Sequence, residues 1–407
     1  MLTVSNPSKP NIFNVLSNRE LDPRKLERHY INDCLIQKNI KNNNFCEKII
    51  GKHDGYIITF EILNPFAATL SRKTIKLRNM ETGKDVWSFT PDPPVYWMEI
   101  IKIIDGKIIC AGHKKISDKP EYESTIRIID LLKGKQTADI KNKQIEDNKV
   151  CMVGKRIFSV YPTGIIGEWD LDGNAVQQIQ SEKLNKNSMF LSSELFLVHL
   201  EDNIVIIHDI IKNNKRIVDL NFEKGSLPNI SHAYINGTRL ICGFNKFSNR
   251  PLPDCCVVEL DSGKITDKYF AHGDFFPLGD ENAHESFLKE SSSIKKIIAY
   301  KNWMFLGYLS GTIVAVNLVD RSHKVLGTHS QAIQDLAIDG DIMISGSHRS
   351  GPFQDILAEI KLWDLNSLEN ISEISLPVLY KTSIISGKAL ATVENKLMEW
   401  DFLIPPK

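Results

Sequence analysis

Basic side chains gather in three polar segments that separate apolar runs of the chain. The side chains in question are Lys114, Lys115, Arg250 and Arg349. Groups of lysine and arginine bind phosphates and acidic peptides through charge-assisted hydrogen bonds. We therefore expect these four residues to bind acidic or phosphorylated groups of a partner protein. The alternative is that they are solvated loop charges, since neighbouring acids partly neutralise them.

An apolar pair lies in a fourth polar segment, residues 271–290. Phe275 and Phe276 are accompanied there by two histidines and several acids. Exposed aromatic side chains are common anchors of protein interfaces, so we expect a partner to bury both rings. Histidines and acids at this density also resemble zinc or manganese ligands, but their spacing fits neither a His-Glu-x-x-His helix nor an EF-hand loop. The sequence predicts no metal site and no cofactor.

Linear motifs of common enzyme classes are absent from the sequence. It contains no Gly-x-Ser-x-Gly elbow, no Gly-x-x-x-x-Gly-Lys-Ser/Thr loop and no Gly-x-Gly-x-x-Gly motif. Fifty basic and fifty acidic residues give no net charge, which disfavours nucleic acid and anionic membranes as partners. We therefore expect a non-enzymatic protein. An enzyme with acids or histidines spread around a central channel is the alternative, because such a site leaves no linear motif.

An apolar run that ends in an acid or its amide recurs eight times. The copies end at positions 79, 130, 170, 209, 259, 317, 364 and 401. Tryptophan precedes the acid in three copies, Trp169-Asp170, Trp363-Asp364 and Trp400-Asp401. Upstream of each copy we expect a tight turn followed by an inner strand, such as Asp54-Gly55 before residues 56–60. Such turns and β-branched, aromatic runs predict antiparallel hairpins.

A repeat of roughly forty residues that ends in Trp-Asp resembles the WD-repeat family of β-propellers. The resemblance implies an all-β fold in which each repeat forms one blade of four strands. Eight copies predict eight blades, with seven as the alternative. Members of the family often contain a hydrogen-bonded chain of His, Asp, Ser and Trp. Its counterparts here are His329, Ser345 and Trp363, while an insertion displaces the aspartate.

The last unit leaves no room for a fourth strand before Lys407. In propellers an N-terminal strand fills that place, so we expect a strand near residues 34–41 to close the ring and the propeller to span residues 34–407. Closure removes exposed sheet edges. Loops that follow second and fourth strands open on one face of the ring. The long polar segments should therefore share one rim, which we expect to be the binding surface.

Residues 1–33 differ from the repeats and predict a short helical lead. Asp22-Pro23 is typical of a helix start, and apolar residues on either side of it, including Ile12-Phe13, fit one helical face. The segment resembles a degenerate F-box fragment, although it lacks the leading Leu-Pro and the later Val-Cys-Lys-x-Trp of that family. The resemblance implies, as an alternative function, a substrate receptor of a ubiquitin ligase that binds a Skp-type adaptor.

The sequence also bears on cellular location. The first residues lack the basic and apolar regions of a secretion signal, and the seven cysteines show no paired spacing. Several cysteines lie within apolar runs, so we expect buried thiols. We expect a cytoplasmic protein or, if the source is a bacterium, one delivered into a host cell.

Overall fold

The computed structural model is an eight-bladed β-propeller, and the all-β fold with eight blades is as predicted. It describes residues 46–71, 74–90, 97–115, 122–142, 149–160, 165–180, 189–201, 203–220, 229–245, 254–269, 293–347, 358–376, 379, 381–385, 388–393 and 395–401. The described residues contain strands and turns but no helix. The expected helical lead over residues 1–33 lies outside the described residues.

Seven blades follow chain order from the ring axis outward. Blade 1 consists of β2 (Ile57–Leu63), β3 (Phe66–Ser71), β4 (Ile75–Asn79) and β5 (Asp85–Phe89), and blade 2 of β6 (Trp97–Ile104), β7 (Lys107–Lys115), β8 (Tyr122–Asp130) and β9 (Gln136–Asn142). Blade 3 consists of β10 (Lys149–Val153), β11 (Arg156–Val160), β12 (Ile165–Trp169) and β13 (Ala175–Gln180), and blade 4 of β14 (Met189–Ser192), β15 (Phe196–Glu201), β16 (Ile204–Asp209) and β17 (Asn214–Asp219).

The second half of the ring repeats this arrangement, and its last blade takes its outer strand from the start of the described residues. Blade 5 consists of β18 (Asn229–Asn236), β19 (Arg239–Asn245), β20 (Cys255–Glu259) and β21 (Lys264–Tyr269), and blade 6 of β22 (Ile294–Tyr300), β23 (Trp303–Tyr308), β24 (Thr312–Asn317) and β25 (His323–Thr328). Blade 7 consists of β26 (Ile333–Asp339), β27 (Ile342–Ser347), β28 (Ala358–Asp364) and β29 (Glu369–Leu376), and blade 8 of β30 (Lys381–Ile385), β31 (Lys388–Val393), β32 (Lys396–Asp401) and β1 (Cys46–Lys52).

Strand composition follows position within the blade. Middle strands are packed on both faces, and every residue of β3 is buried. Outer strands such as β21 alternate between exposed and covered side chains, as expected for a sheet with one solvated face. The apolar core lies between neighbouring blades, where Trp363 of blade 7 packs in one cluster with Phe305 of blade 6.

The recurring acid or amide ends the third strand of each blade or directly follows it. Asp130 at the end of β8 shows its local role. Its Oδ1 accepts hydrogen bonds from the backbone N–H groups of Leu132 at 2.9 Å and Lys133 at 2.8 Å, and Gly134 then adopts a φ of 64°. The same acceptor role is filled by Asn79, Asp170, Asp209, Asn317 and Asp364. The repeat is therefore a turn signal, since short polar side chains hold such turns.

Blade 1 departs from the expected hairpin order. The run over residues 56–60 lies largely in β2, the first strand of its blade, and not in a second strand. The hairpin that follows turns at Asn64-Pro65, which has a cis peptide bond. Asp54-Gly55 lies instead in the link from β1 to β2. The turn and the run were both visible in the sequence, but their place in the blade depended on pairing with β3.

The ring is closed by β1, which pairs antiparallel with β32. This strand begins later than expected, and residues 34–41 lie outside the described residues. Within β1, Ile50 is buried between blades, and Glu47 Oε2 accepts a hydrogen bond of 3.2 Å from Trp400 Nε1. The segment has only two adjacent isoleucines among polar residues, so its apolar pattern is weaker than that of residues 34–41.

Candidate functional site

Two rims of the propeller differ in the links that they carry. We call "loop rim" the face with the links from second to third strands and from each blade to the next; "turn rim" is the opposite face. Antiparallel order places the ends of β7, β19, β21 and β27 on the loop rim. The four polar insertions start from these strand ends, and most of their residues lie outside the described residues.

The predicted partner-binding residues fall at or beyond these strand ends. Lys114 and Lys115 are the last residues of β7 and pair with Glu123 and Tyr122 of β8. The others, Arg250, Arg349, Phe275 and Phe276, lie outside the described residues. The structure therefore locates the two lysines on the loop rim, and the binding roles of all six residues stay predictions.

A buried hydrogen-bonded chain links three of the predicted repeat residues in blade 7. His329 Nε2 lies 2.7 Å from Ser345 Oγ, and Trp363 Nε1 donates to the same oxygen at 2.8 Å. Ser345 has one hydroxyl hydrogen, and the histidine nitrogen is a nearer acceptor than the Lys361 carbonyl at 3.4 Å. This assigns the remaining ring hydrogen of His329 to Nδ1.

The acid beside this hydrogen-bonded chain is Glu359, which the sequence pattern did not reveal. Its Oε2 lies 3.4 Å from His329 Nδ1 and accepts a hydrogen bond of 3.2 Å from the Ser330 N–H. Lys361 Nζ is 3.7 Å from the same oxygen. The acid was expected in the turn after β27, but the insertion there shifts the role to the second residue of β28.

Burial and charge keep His329 neutral in this arrangement. Burial and then Lys361 lower the pKa of His329 to about 4, while Glu359 opposes them. Burial acts to raise the pKa of the Glu359 carboxyl, but hydrogen bonds from Ser330 and the charges of Lys361 and His329 bring it below its usual value. Neutral His329 thus faces a carboxylate through Nδ1, at 3.4 Å and without a regular hydrogen bond between them.

Blade 1 repeats most of this arrangement with different side chains. His53 Nε2 lies 2.8 Å from Thr69 Oγ1, and each histidine precedes its hydroxyl residue by sixteen positions. Thr69 pairs with Lys76 as Ser345 pairs with Lys361. That equal spacing is the signal by which the sequence could have revealed the second copy.

Arg78 takes the position of the tryptophan in blade 1. Its side chain is 3% exposed, pairs with Asp85 at 3.1 Å and donates through Nη2 to the Lys52 carbonyl. The guanidinium lies against Gly51, where an added Cβ would overlap it. A side chain at position 51 would therefore displace the guanidinium from its place beside Gly51.

A cavity of about 360 Å³ opens beside this second copy on the loop rim. Its polar and aromatic lining consists of His53, Asp54, Tyr56, Ser71, Thr74 and Lys76. His53 is 4% exposed, and its Nδ1 has no hydrogen-bond partner among the described residues. Burial, then Arg78 and Lys76, lower the pKa of His53 to about 4, and Asp85 and Asp54 oppose them less strongly. The imidazole is therefore neutral.

Comparisons with known proteins identify the fold and no family. No protein-family model matches the sequence, and no curated protein matches it either. Solved structures match it across most of its length. The match with the structure of Sqt1 from Saccharomyces cerevisiae covers 89% of this chain and 98% of the Sqt1 chain, at 12% sequence identity and a TM-score of 0.62.

Two further structures give the same result. The match with BamB from Moraxella catarrhalis covers 88% of this chain and 99% of the BamB chain, at 12% sequence identity and a TM-score of 0.59. The match with the computationally designed Ika8 protein covers 87% of this chain and 99% of the Ika8 chain, at 13% sequence identity and a TM-score of 0.58. At such low identity these likenesses concern the fold alone.

Charged residues near the ring axis pair between neighbouring blades. Lys296 Nζ lies 3.3 Å from Asp335 Oδ1, and Asp335 Oδ2 accepts a hydrogen bond of 3.0 Å from the Thr382 N–H. Lys381 Nζ contacts Thr59 Oγ1 at 3.3 Å. In the part of the protein that the structure describes, no three His, Cys, Asp or Glu side chains converge as metal ligands do. These contacts join the inner strands of adjacent blades.

The cysteines within the described residues are not suited to reactive chemistry. Five of them, Cys110, Cys151, Cys242, Cys255 and Cys256, are buried and unbridged, and burial raises the pKa of both Cys110 and Cys151 to about 12. Such thiols are poor nucleophiles. Over the described residues, no helix is long and apolar enough to cross a bilayer.

Proposed function

We propose that this protein is a non-enzymatic scaffold that binds a partner protein on its loop rim. The observation that carries the proposal is the cavity of blade 1, which opens on this rim and is lined by His53, Asp54 and Lys76. A rigid ring that supports polar loops is a suitable binding platform, because binding residues concentrate in loops held by a scaffold.

The lysines at the end of β7 extend the proposed surface. Blades 1 and 2 are neighbours through contacts of β2 with β6, so Lys114 and Lys115 lie on the sector of the rim next to the cavity. In this proposal they pair with acidic or phosphorylated groups of the partner, as Arg250 and Arg349 do from other loops. Phe275 and Phe276 are the proposed apolar anchors.

Site-specific photo-cross-linking tests which face holds the partner. A photoreactive amino acid is placed at Tyr56 on the loop rim or, as the matched control, at Leu132 on the turn rim; the two side chains are 53% and 49% exposed. The full-length proteins are irradiated in a eukaryotic lysate, and the adducts are identified by mass spectrometry. We expect a defined protein adduct from position 56 alone. Equal adducts from both positions, or adducts from position 132 alone, would contradict the proposal.

The F-box-like function is a narrower form of this proposal. It depends on residues 1–33, which lie outside the described residues, and it stays a prediction. Its test is the binding of a purified Skp-type adaptor to the full-length protein and to a variant in which Ile12 and Phe13 are both changed to Ala. Binding that is lost in the variant would support the receptor function, and absence of binding to the full-length protein would reject it.

A further inference from the structure

Blades 1 and 7 contain the same buried pair of a histidine and a hydroxyl residue, and among the described residues only the histidine of blade 7 has a carboxylate oxygen near its Nδ1, that of Glu359 at 3.4 Å. We propose that the cavity of blade 1 binds a carboxylate of a partner protein at the position that Glu359 occupies in blade 7. The inference rests on the proposed function, since it names the chemical group through which a partner engages the loop rim.

Strand register makes Thr74 the counterpart of Glu359. Each residue lies two positions before the lysine that pairs with the hydroxyl residue. The backbone N–H of Glu359 donates to Ser347 Oγ at 3.1 Å, and that of Thr74 donates to Ser71 Oγ at 3.3 Å. The backbones therefore follow the same course. A threonine side chain is shorter than glutamate and uncharged, and the cavity lies beside it.

The lysine of each blade is held in the same way. Lys361 Nζ donates to the carbonyl of Thr328 at 3.0 Å, and Lys76 Nζ donates to the carbonyl of Lys52 at 3.3 Å. Both carbonyls belong to the residue that precedes the histidine. Blade 1 thus retains the cation that approaches the carboxylate in blade 7.

The tautomer of His53, which lines the cavity, leaves a buried donor without a partner. Thr69 has one hydroxyl hydrogen, and His53 Nε2 at 2.8 Å is a nearer acceptor than the Lys76 carbonyl at 3.3 Å. The ring hydrogen is therefore on Nδ1, the nitrogen that has no partner among the described residues. A buried N–H without an acceptor is costly, so an acceptor oxygen at this position is favourable.

Charge around the cavity favours an anion. Arg78 and Lys76 each act on His53 more strongly than Asp85 or Asp54 does, and Asp85 pairs with both cations, with Lys76 at 3.2 Å and with Arg78 at 3.1 Å. Asp54 lines the cavity and repels the carboxylate of a ligand, whereas Lys76, which also lines it, attracts that carboxylate. The volume of about 360 Å³ exceeds that of a carboxylate group, so it can also accommodate part of the peptide that bears the group. The side-chain carboxylate of an aspartate or glutamate and the C-terminal carboxylate of a polypeptide both meet this requirement.

The direct test observes His53 while defined carboxylates are added. Full-length protein labelled with ¹⁵N-histidine is titrated with two acetylated tripeptides, Ala-Glu-Ala amide and Ala-Ala-Ala free acid, and with Ala-Gln-Ala amide as the neutral control. We expect at least one carboxylate peptide to shift the His53 Nδ1 resonance saturably, with an affinity at least tenfold above that of the control. The two peptides distinguish a side-chain carboxylate from a C-terminal one. Failure of both to shift His53 would overturn the proposal.

A substitution that supplies the acid from within the protein gives the second test. Thr74→Glu should place a carboxylate beside His53, raise Tm and abolish the peptide-induced shift. Thr74→Gln, which has nearly the same size and no charge, should retain the shift. Equal peptide binding by wild type and T74E would overturn the proposed position of the ligand.

The partner cross-link from Tyr56 separates this inference from the proposed function. If T74E removes peptide binding and the cross-linked partner together, both stand. If T74E captures the partner as well as wild type does, the carboxylate is not the partner's contact, and binding on the loop rim remains. If position 56 captures no partner while the peptides still shift His53, the proposed function fails and the carboxylate site remains.

Discussion

Trp363 Nε1 donates a hydrogen bond of 2.8 Å to Ser345 Oγ across the pairing of β27 with β28. The bond orients the serine hydroxyl toward His329 and thereby fixes which histidine nitrogen bears the hydrogen. One tryptophan therefore contributes both to the packing between blades 6 and 7 and to the hydrogen-bonded chain that ends at His329.

Replacing Trp363 with alanine should destabilise the protein. The side chain is 1% exposed, and loss of a large buried ring costs about 3–5 kcal/mol. Trp169, which is only partly buried, is the control, and its replacement by alanine should cost less. Urea unfolding monitored by circular dichroism measures both. Equal stability of W363A and wild type would contradict the assignment of blade 7.

Acid should destabilise the protein through its buried histidines. The pKa values of His53 and His329 are lowered from 6.5 to about 4, so the unfolded state binds more protons than the folded state between these values. Stability is fully present above pH 6.5 and falls as the pH approaches 4, by about 1.4 kcal/mol per pH unit for each histidine.

Urea unfolding at several pH values, for wild type and for His329→Gln, measures the effect. The variant is expected to lose less stability on acidification than wild type, because one such histidine is absent. The same pH slope for both proteins would show that His329 does not titrate between the folded and unfolded states as expected.

Replacing Glu359 of blade 7 with threonine should leave His329 without a nearby carboxylate, as His53 is in blade 1. Glu359→Thr removes the acceptor of the Ser330 N–H and the carboxylate beside the buried His329 Nδ1, and the loss of one such hydrogen bond costs about 1 kcal/mol. Glu359→Gln retains the size and an acceptor oxygen and should cost less. Thermal unfolding measures the loss. A variant E359T as stable as wild type would show that Glu359 contributes nothing to the hydrogen-bonded chain.

Truncation distinguishes the closing strand from the segment before it. Removing residues 1–52 deletes β1, exposes the edge of β32 and leaves Trp400 without the Glu47 acceptor. We expect association through the open edge. Removing residues 1–41 retains β1 and should leave a closed monomer. Size-exclusion chromatography with light scattering compares the two, and association of both would indicate that residues 1–41 also contribute to closure.

The sequence predicted the number of blades because the signal is local. Asp130 and its counterparts bind backbone groups two or three residues ahead, and a residue with positive φ follows within the same turn. Short-range turn chemistry of this kind is encoded by neighbouring side chains. Six of the eight positions show this chemistry in the described residues, and the eight copies together were enough to predict eight blades, although blade 1 shifted by one strand.

Only the tertiary structure identified the closing strand, the acid of blade 7 and the cavity of blade 1. Glu47 and Trp400 are 353 residues apart, and Glu359 reaches His329 across an inserted loop. The cavity is lined by Thr74, the counterpart of Glu359 by strand register, and by His53, which lies 21 positions earlier in the chain. Such contacts depend on which side chains the closed ring brings together, and no spacing along one strand encodes them.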